Sequence, residues 1–218
     1  SDVRKPTRKG GAERRPFLNV MANGQERRMN MNQVREILAE IGTAGKNADG
    51  SYTRSCYSPE YFQAAEIVHK RMEAMGMQVS QDAAGNIHGV LPGSESGQKS
   101  IIMGSHLDTV PSGGLFDGAY GVAGALEAVR RLKEEGKVLR HPIEIYGFNG
   151  EESNPLGGTF GSRAVTGLVS PDQPELEKSL KEYGHTVQEI LDCKRDFSDA
   201  KCFLELHIEQ GDRLDHEG

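Results

Sequence analysis

The stretch "GSHLDTVPSGGLFDGAYGV", residues 104–122, sets His106, Asp108 and Asp117 among glycines that offer almost no side chain to a core. Further along, Glu151 and Glu152 stand together in "NGEESN", and His207 lies in "LHIEQG". Imidazole nitrogens combined with carboxylate oxygens suit a divalent cation of the zinc, manganese or cobalt type. Cys56, Cys193 and Cys202 form no CxxC pattern near these residues, which argues against a structural zinc site and for a hydrolytic one. Each residue also has a plainer reading. A single histidine at a strand end is commonly hydrogen-bonded structure, an acidic pair is commonly solvated helix surface, and Asp117 before a helix would serve as an N-cap or turn residue. The metal reading rests on four such positions occurring in one chain, in glycine-rich contexts at the ends of expected strands.

Those elements are read from periodicity. Met31, Val34, Ile37, Leu38 and Ile41 recur at helical spacing and Gly42 closes the run. Ser58 is placed to cap a helix whose first position is Pro59, with Tyr61, Ala65, Val68, Met72 and Met75 on one face and Gly76 as the stop. Val122, Ala125, Leu126, Val129 and Leu132 form a third stripe ending at Gly136, and a further helical region is expected over 173–192. Strands are expected at "MQVSQ" from 77, "NIHGVL" from 86, "SIIMGSH" from 100, "PIEIYGFN" from 142 and "CFLELHIE" from 202. This alternation predicts an α/β fold with a mixed, largely parallel sheet flanked by helices. In such sheets functional groups collect in loops beyond the carboxyl ends of strands, where His106, Asp117, Glu151, Glu152 and His207 all fall. His69, His88, His141 and His185 have no companion pattern and are read as structural.

Composition narrows the partners. The chain has 218 residues, 36% of them hydrophobic, and a formal net charge of −6, so it lacks the basic face that nucleic acid or a membrane surface requires. A small-molecule substrate is expected. Three cysteines, an odd number at unpatterned spacing, suggest a reducing compartment, and no apolar run approaches a membrane-spanning length, so the expected location is cytoplasmic. Residues 1–30 scatter Arg4, Lys5, Arg8, Lys9, Arg14 and Arg15 among Gly and Pro, and read as a mobile basic tail without assigned function.

The ordered series "GSHLDTV", "GGLFDGAYGV", "NGEE" followed by "GSRAVTG", and "LHIEQG", together with "YTRSCYSPE" and "DAAGNIHG", resembles the two-metal amidohydrolases of the hydantoinase/carbamoylase family. That family includes N-carbamoyl-L-amino-acid hydrolases and allantoate amidohydrolases. The resemblance implies a zinc-peptidase-like catalytic domain that hydrolyses linear amide or ureido C–N bonds with two divalent ions, Zn, Mn or Co. It also implies roles: His106 and His207 as ligands of one metal, Asp117 as the bridging carboxylate, Glu152 as a ligand of the second, Glu151 as general base. Asp108 would orient the His106 ring through its carboxylate, and Gln210 would help bind substrate. A bridging carboxylate holds two cations roughly 3.5–4 Å apart, and a neighbouring free carboxylate can take the proton of the attacking water. The adjacent glutamates would therefore have different tasks.

Two departures accompany the resemblance. Relatives commonly carry Arg-Phe soon after the glutamate pair, where this chain reads "SNPLGG". The family also continues past the "HIEQG" motif with a lid or dimerisation domain and a return segment that supplies a late histidine ligand. Residues 31–218 are accordingly expected to be the N-terminal part of the catalytic domain, with at most one tightly bound metal, a monomeric state where the family is homodimeric, and uncertain activity. His216, in the polar tail "DRLDHEG", is a weak substitute ligand. The competing functions are a metallo-aminopeptidase or dipeptidase, and a non-catalytic metal-binding remnant.

Overall fold

A computed structural model describes residues 31–217. The expected basic tail at 1–30 lies outside the described residues. Residues 31–208 form one compact unit, and Glu209 onward belongs to another, which contains the short helix α7 (Arg213–Glu217).

The first unit starts with α1 (Met31–Ile41), which buries Val34, Ile37, Leu38 and Ile41. In α2 (Pro59–Ala74) the Ser58 hydroxyl accepts the Tyr61 N–H at 3.1 Å, so the cap read from the sequence satisfies one of the first-turn donors. Tyr61, Ala64, Ala65, Val68 and Met72 form its buried face. A hairpin follows, β1 (Gln78–Gln81) and β2 (Ile87–Leu91), then β3 (Ser100–His106), α3 (Ala119–Glu134) and β4 (Ile143–Phe148). The chain continues through α4 (Phe160–Thr166), α5 (Leu176–Glu182) and α6 (Val187–Leu191) to β5 (Ala200–Leu204).

The strands lie in the order β1-β2-β4-β3-β5. The sheet is mixed, with β1–β2 and β2–β4 antiparallel and β3–β4 and β3–β5 parallel. Alternation along β4 divides its side chains between two cores. Ile143 and Ile145 join α1, α2 and α3 on one face, while Tyr146 and Phe148 join Ile102 and Val165. Because β4 and β5 flank β3 on opposite sides, the strand order reverses at β3, and the carboxyl ends of all three point to one edge.

Two segments differ from the sequence reading. The helical region expected over 173–192 is two short helices: the chain turns at Gly184, whose φ is +81°, and Thr186 with Glu189 forms a new capping box. The strand expected from 202 begins at Ala200 and ends at Leu204. Beyond the Met103–Leu204 pair the ladder stops, and Ser105 Oγ instead donates to the Glu205 carboxylate at 2.6 Å. His207 therefore sits in an irregular segment just past the strand.

Candidate metal centre

The parallel register brings the candidate residues together. His106 ends β3 opposite Phe148 of β4, so the loop carrying Glu151 and Glu152 leaves the sheet at the level of the imidazole. His106 Nε2 lies 3.7 Å from Asp117 Oδ1 and 3.9 Å from Glu152 Oε1, and His207 Nε2 lies 3.4 Å from the same Asp117 oxygen. One ligand atom from each of His106, Asp117 and His207 can be chosen so that all lie within 4.8 Å of one another. Two imidazoles and a carboxylate converging in this way match the donor set of a divalent cation, and no thiolate takes part.

Glycine makes the convergence feasible. Gly118 has φ +62°, and a Cβ built there would run into the His106 ring. Gly121, one turn into α3, sits against Leu206 O, and a Cβ there would lie 2.6 Å from Ser105 Cβ. Side chains at these two positions would push α3, and Asp117 before it, away from the strand ends. The scarcity of side chains between 104 and 122 thus has a local cause: helix and strand backbones meet around the histidine.

Asp108 is buried beside His106, and both its main chain and its carboxylate approach the ring. His106 Nδ1 lies 2.9 Å from the Asp108 main-chain oxygen, against 3.7 Å to the carboxylate. The carboxylate also accepts the N–H groups of Glu151 at 3.1 Å and Glu152 at 2.9 Å, fixing the turn that presents both glutamates. Glu151 is held in its turn: its two oxygens accept the Ser162 N–H and hydroxyl, each at 2.7 Å. Burial raises the Glu151 carboxyl above its ordinary value, and the Ser162 hydrogen bonds offset only part of that. Glu152 is raised too, first by burial and then by the Asp117 charge, as expected of carboxylates crowded around a site suited to a cation.

Four supporting residues escaped the sequence reading. Arg54 is fully buried beneath the loop that follows β3. Asn86 and Asn149 are also fully buried. The Asn149 N–H donates to Asn86 Oδ1 at 3.0 Å, the Asn149 amide donates to Ala84 O at 2.9 Å, and Gly161 N–H donates to Asn149 O at 2.9 Å. This network locks the "NGEE" turn onto the β1–β2 connection. Ser162 is the fourth. The only sequence signal was that these residues fall within quoted motifs, since nothing in their spacing specifies long-range partners.

The histidines read as structural hold local contacts: His88 Nε2 meets Glu144 at 2.7 Å, His141 Nδ1 meets Lys99 O at 2.8 Å, and His69 and His185 face Glu73 and Glu189. Gln210 and His216 lie in the second unit, where His216 pairs with Asp212 at 3.2 Å. Cys56, Cys193 and Cys202 are free thiols, and none of the described helices is long and apolar enough to cross a membrane.

The chain is similar to several known proteins. Peptidase family M28 matches residues 86–184. An N-carbamoyl-L-amino acid amidohydrolase of Geobacillus stearothermophilus is 36% identical over 190 residues, 83% of this chain and 46% of that protein. An allantoate amidohydrolase of Bacillus subtilis is 32% identical over 86% of this chain and 47% of its own length. The solved hydantoinase/carbamoylase family amidase of Burkholderia ambifaria superposes with a TM-score of 0.72 at 30% identity, covering 87% of this chain and 48% of that one. The chain thus has the zinc-peptidase-like fold of these amidases. More particularly, the chain is a homologue of the hydantoinase/carbamoylase amidases, and it spans about half the length of the relatives it matches.

Proposed function

We propose that this chain is the metal-binding part of an amidohydrolase that cleaves linear amide or ureido C–N bonds, with N-carbamoyl amino acids or allantoate-type compounds as substrates. The convergence of His106, Asp117 and His207 beside a separate glutamate pair carries the reading. In it, His106, Asp117 and His207 hold one cation of the Zn, Mn or Co type, and Asp117 with Glu152 faces a second position. A bound cation would supply Lewis-acid polarisation of the scissile carbonyl and acidify the attacking water. Glu151 takes that water's proton and passes it to the leaving nitrogen, and its raised carboxyl brings it closer to the working pH of a general base. Asp108 keeps the two glutamates apart by pinning their main-chain N–H groups, so that each performs its own task. The free thiols fit a reducing, cytoplasmic setting.

The match to Peptidase family M28 favours a second reading, a metallo-aminopeptidase or dipeptidase. Assay of the purified chain with Mn, Co or Zn against N-carbamoyl amino acids, allantoate and a dipeptide panel separates the two. Turnover of the ureido compounds alone is expected. Turnover of dipeptides alone would establish the peptidase, and metal binding without any turnover would make this a metal-binding module.

A further inference from the structure

Arg54 is fully buried, which is unusual for a guanidinium. Its Nε donates to Leu107 O at 2.8 Å and its Nη1 to Ala44 O at 3.3 Å, while Nη2 has no hydrogen-bond partner among the described residues. No carboxylate among the described residues forms an ion pair with it. Buried arginines ordinarily sit in such pairs, so fold stability alone gives a poor account of this one.

Its surroundings supply a better one. The Arg54 main chain is also tied to the loop after β3: its N–H donates to Thr109 Oγ1 at 2.9 Å and its carbonyl accepts the Thr109 N–H at 2.9 Å. Arg54 therefore grips Leu107 and Thr109 on either side of Asp108. Burial lowers the guanidinium's proton affinity and the Asp108 charge restores part of it, so the two groups act on each other across the interior. The Asp108 charge also acts on Glu151 and Glu152, and that of Asp117 acts on Glu152.

We propose that Arg54 is a positioning residue of the metal centre: it clamps the 107–109 turn and provides the buried counter-charge that keeps Asp108 seated across the Glu151 and Glu152 N–H groups. The link to metal binding rests on the function proposed above; the positioning of the glutamate turn does not. Because Arg54 lies beneath the loop, it adds positive charge to the acidic cluster without occupying the cation's place.

Amide hydrogen exchange on the metal-free chain tests the positioning. In Arg54→Gln the Glu151 and Glu152 amides should exchange about tenfold faster, beyond any change at Ile145 in the sheet. Arg54→Lys, which keeps the charge, should hold both near the wild-type rate. Val129→Ala, a core variant in α3, should move all amides together. Uniform acceleration in Arg54→Gln, or an Arg54→Lys as fast as Arg54→Gln, overturns the proposal. If Arg54→Gln does not fold, Arg54→Lys decides alone: protection retained supports the counter-charge and protection lost refutes it. Cobalt(II) titration, followed by visible absorption, tests the link to the metal. Arg54→Gln should bind about tenfold more weakly than wild type, the scale seen when a supporting residue of a metal site is lost. A wild-type chain that binds no cobalt while the amides respond as described would refute the metal reading and leave the positioning intact. Wild-type binding with unresponsive amides would do the reverse.

Discussion

Replacing Arg195 by Met should destabilise the sheet that carries the metal centre, by an amount that depends on pH. Glu144 of β4 is almost fully buried and faces a cavity of about 370 Å³. Arg195 donates to both its oxygens and His88 meets it at 2.7 Å. Burial alone would raise the Glu144 carboxyl, but the hydrogen bonds from Arg195, His88 and Ser100 outweigh it and hold the group well below the usual carboxylate range. Removing one partner of a buried pair costs about 3–5 kcal/mol, and the open cavity admits water to the stranded carboxylate, which favours the lower end. For a unit of this size a loss of about 3 kcal/mol lowers Tm by roughly 6–12 °C. The sign of the pH effect follows from linkage. A carboxyl depressed in the folded state contributes stability above its unfolded value near 4.5, and that contribution fades as pH falls toward the folded value. Thermal melts of wild type and Arg195→Met should therefore differ fully at pH 7 and converge below about pH 4.5. Adding Glu144→Gln to the variant should restore much of the lost stability. A gap under about 2 °C at pH 7, or one unchanged down to pH 4, would refute the assignment of the low carboxyl to Arg195.

Other outcomes follow from the site itself. Gly118→Ala should abolish metal binding while leaving the sheet folded, because the new Cβ meets the His106 ring and the residue would hold φ +62°; binding at wild-type affinity in a titration would contradict the cradle described. Glu151→Gln should keep the metal content of wild type yet lower turnover by about 10²-fold or more. Loss of metal in that variant, with Glu152→Gln retaining it, would exchange the two roles. Where the chain is active, its acid limb should lie above pH 4.5, since burial raises the Glu151 carboxyl and the base must be ionised. A rate profile flat down to pH 4.5 would exclude Glu151 as the base.

Local signals carried most of the fold. Ser58 and Pro59 start α2 as their types dictate, and the apolar stripes of α1 to α3 are the faces that pack on the sheet. What escaped was set by contacts distant in sequence. The break at Gly184 depends on Leu180 and Ile190 packing into one cluster from separate helices, which periodicity over a single window does not reveal. The early end of β5 follows from Ser105 turning to Glu205 where the backbone ladder stops. At the site, the residue types of His106, Asp117 and His207 pointed to metal chemistry, and the strand order brings them together. The residues beneath them were illegible for a physical reason. Arg54, Asn86 and Asn149 look like ordinary polar loop residues until the fold buries them, and the contact of the Asp108 main-chain oxygen with His106 is not written in spacing.

The central claim, that the ends of β3 and β5 and the start of α3 form a metal centre, is tested most directly by elemental analysis. The chain would be loaded with Zn, Mn or Co, dialysed extensively, and compared with His106→Ala and His207→Ala. Ligand counting gives the first position three protein groups and the second only Asp117 and Glu152, so close to one equivalent should remain in wild type and almost none in either variant. A wild-type chain that retains no metal, or two variants that retain as much as wild type, would contradict the account.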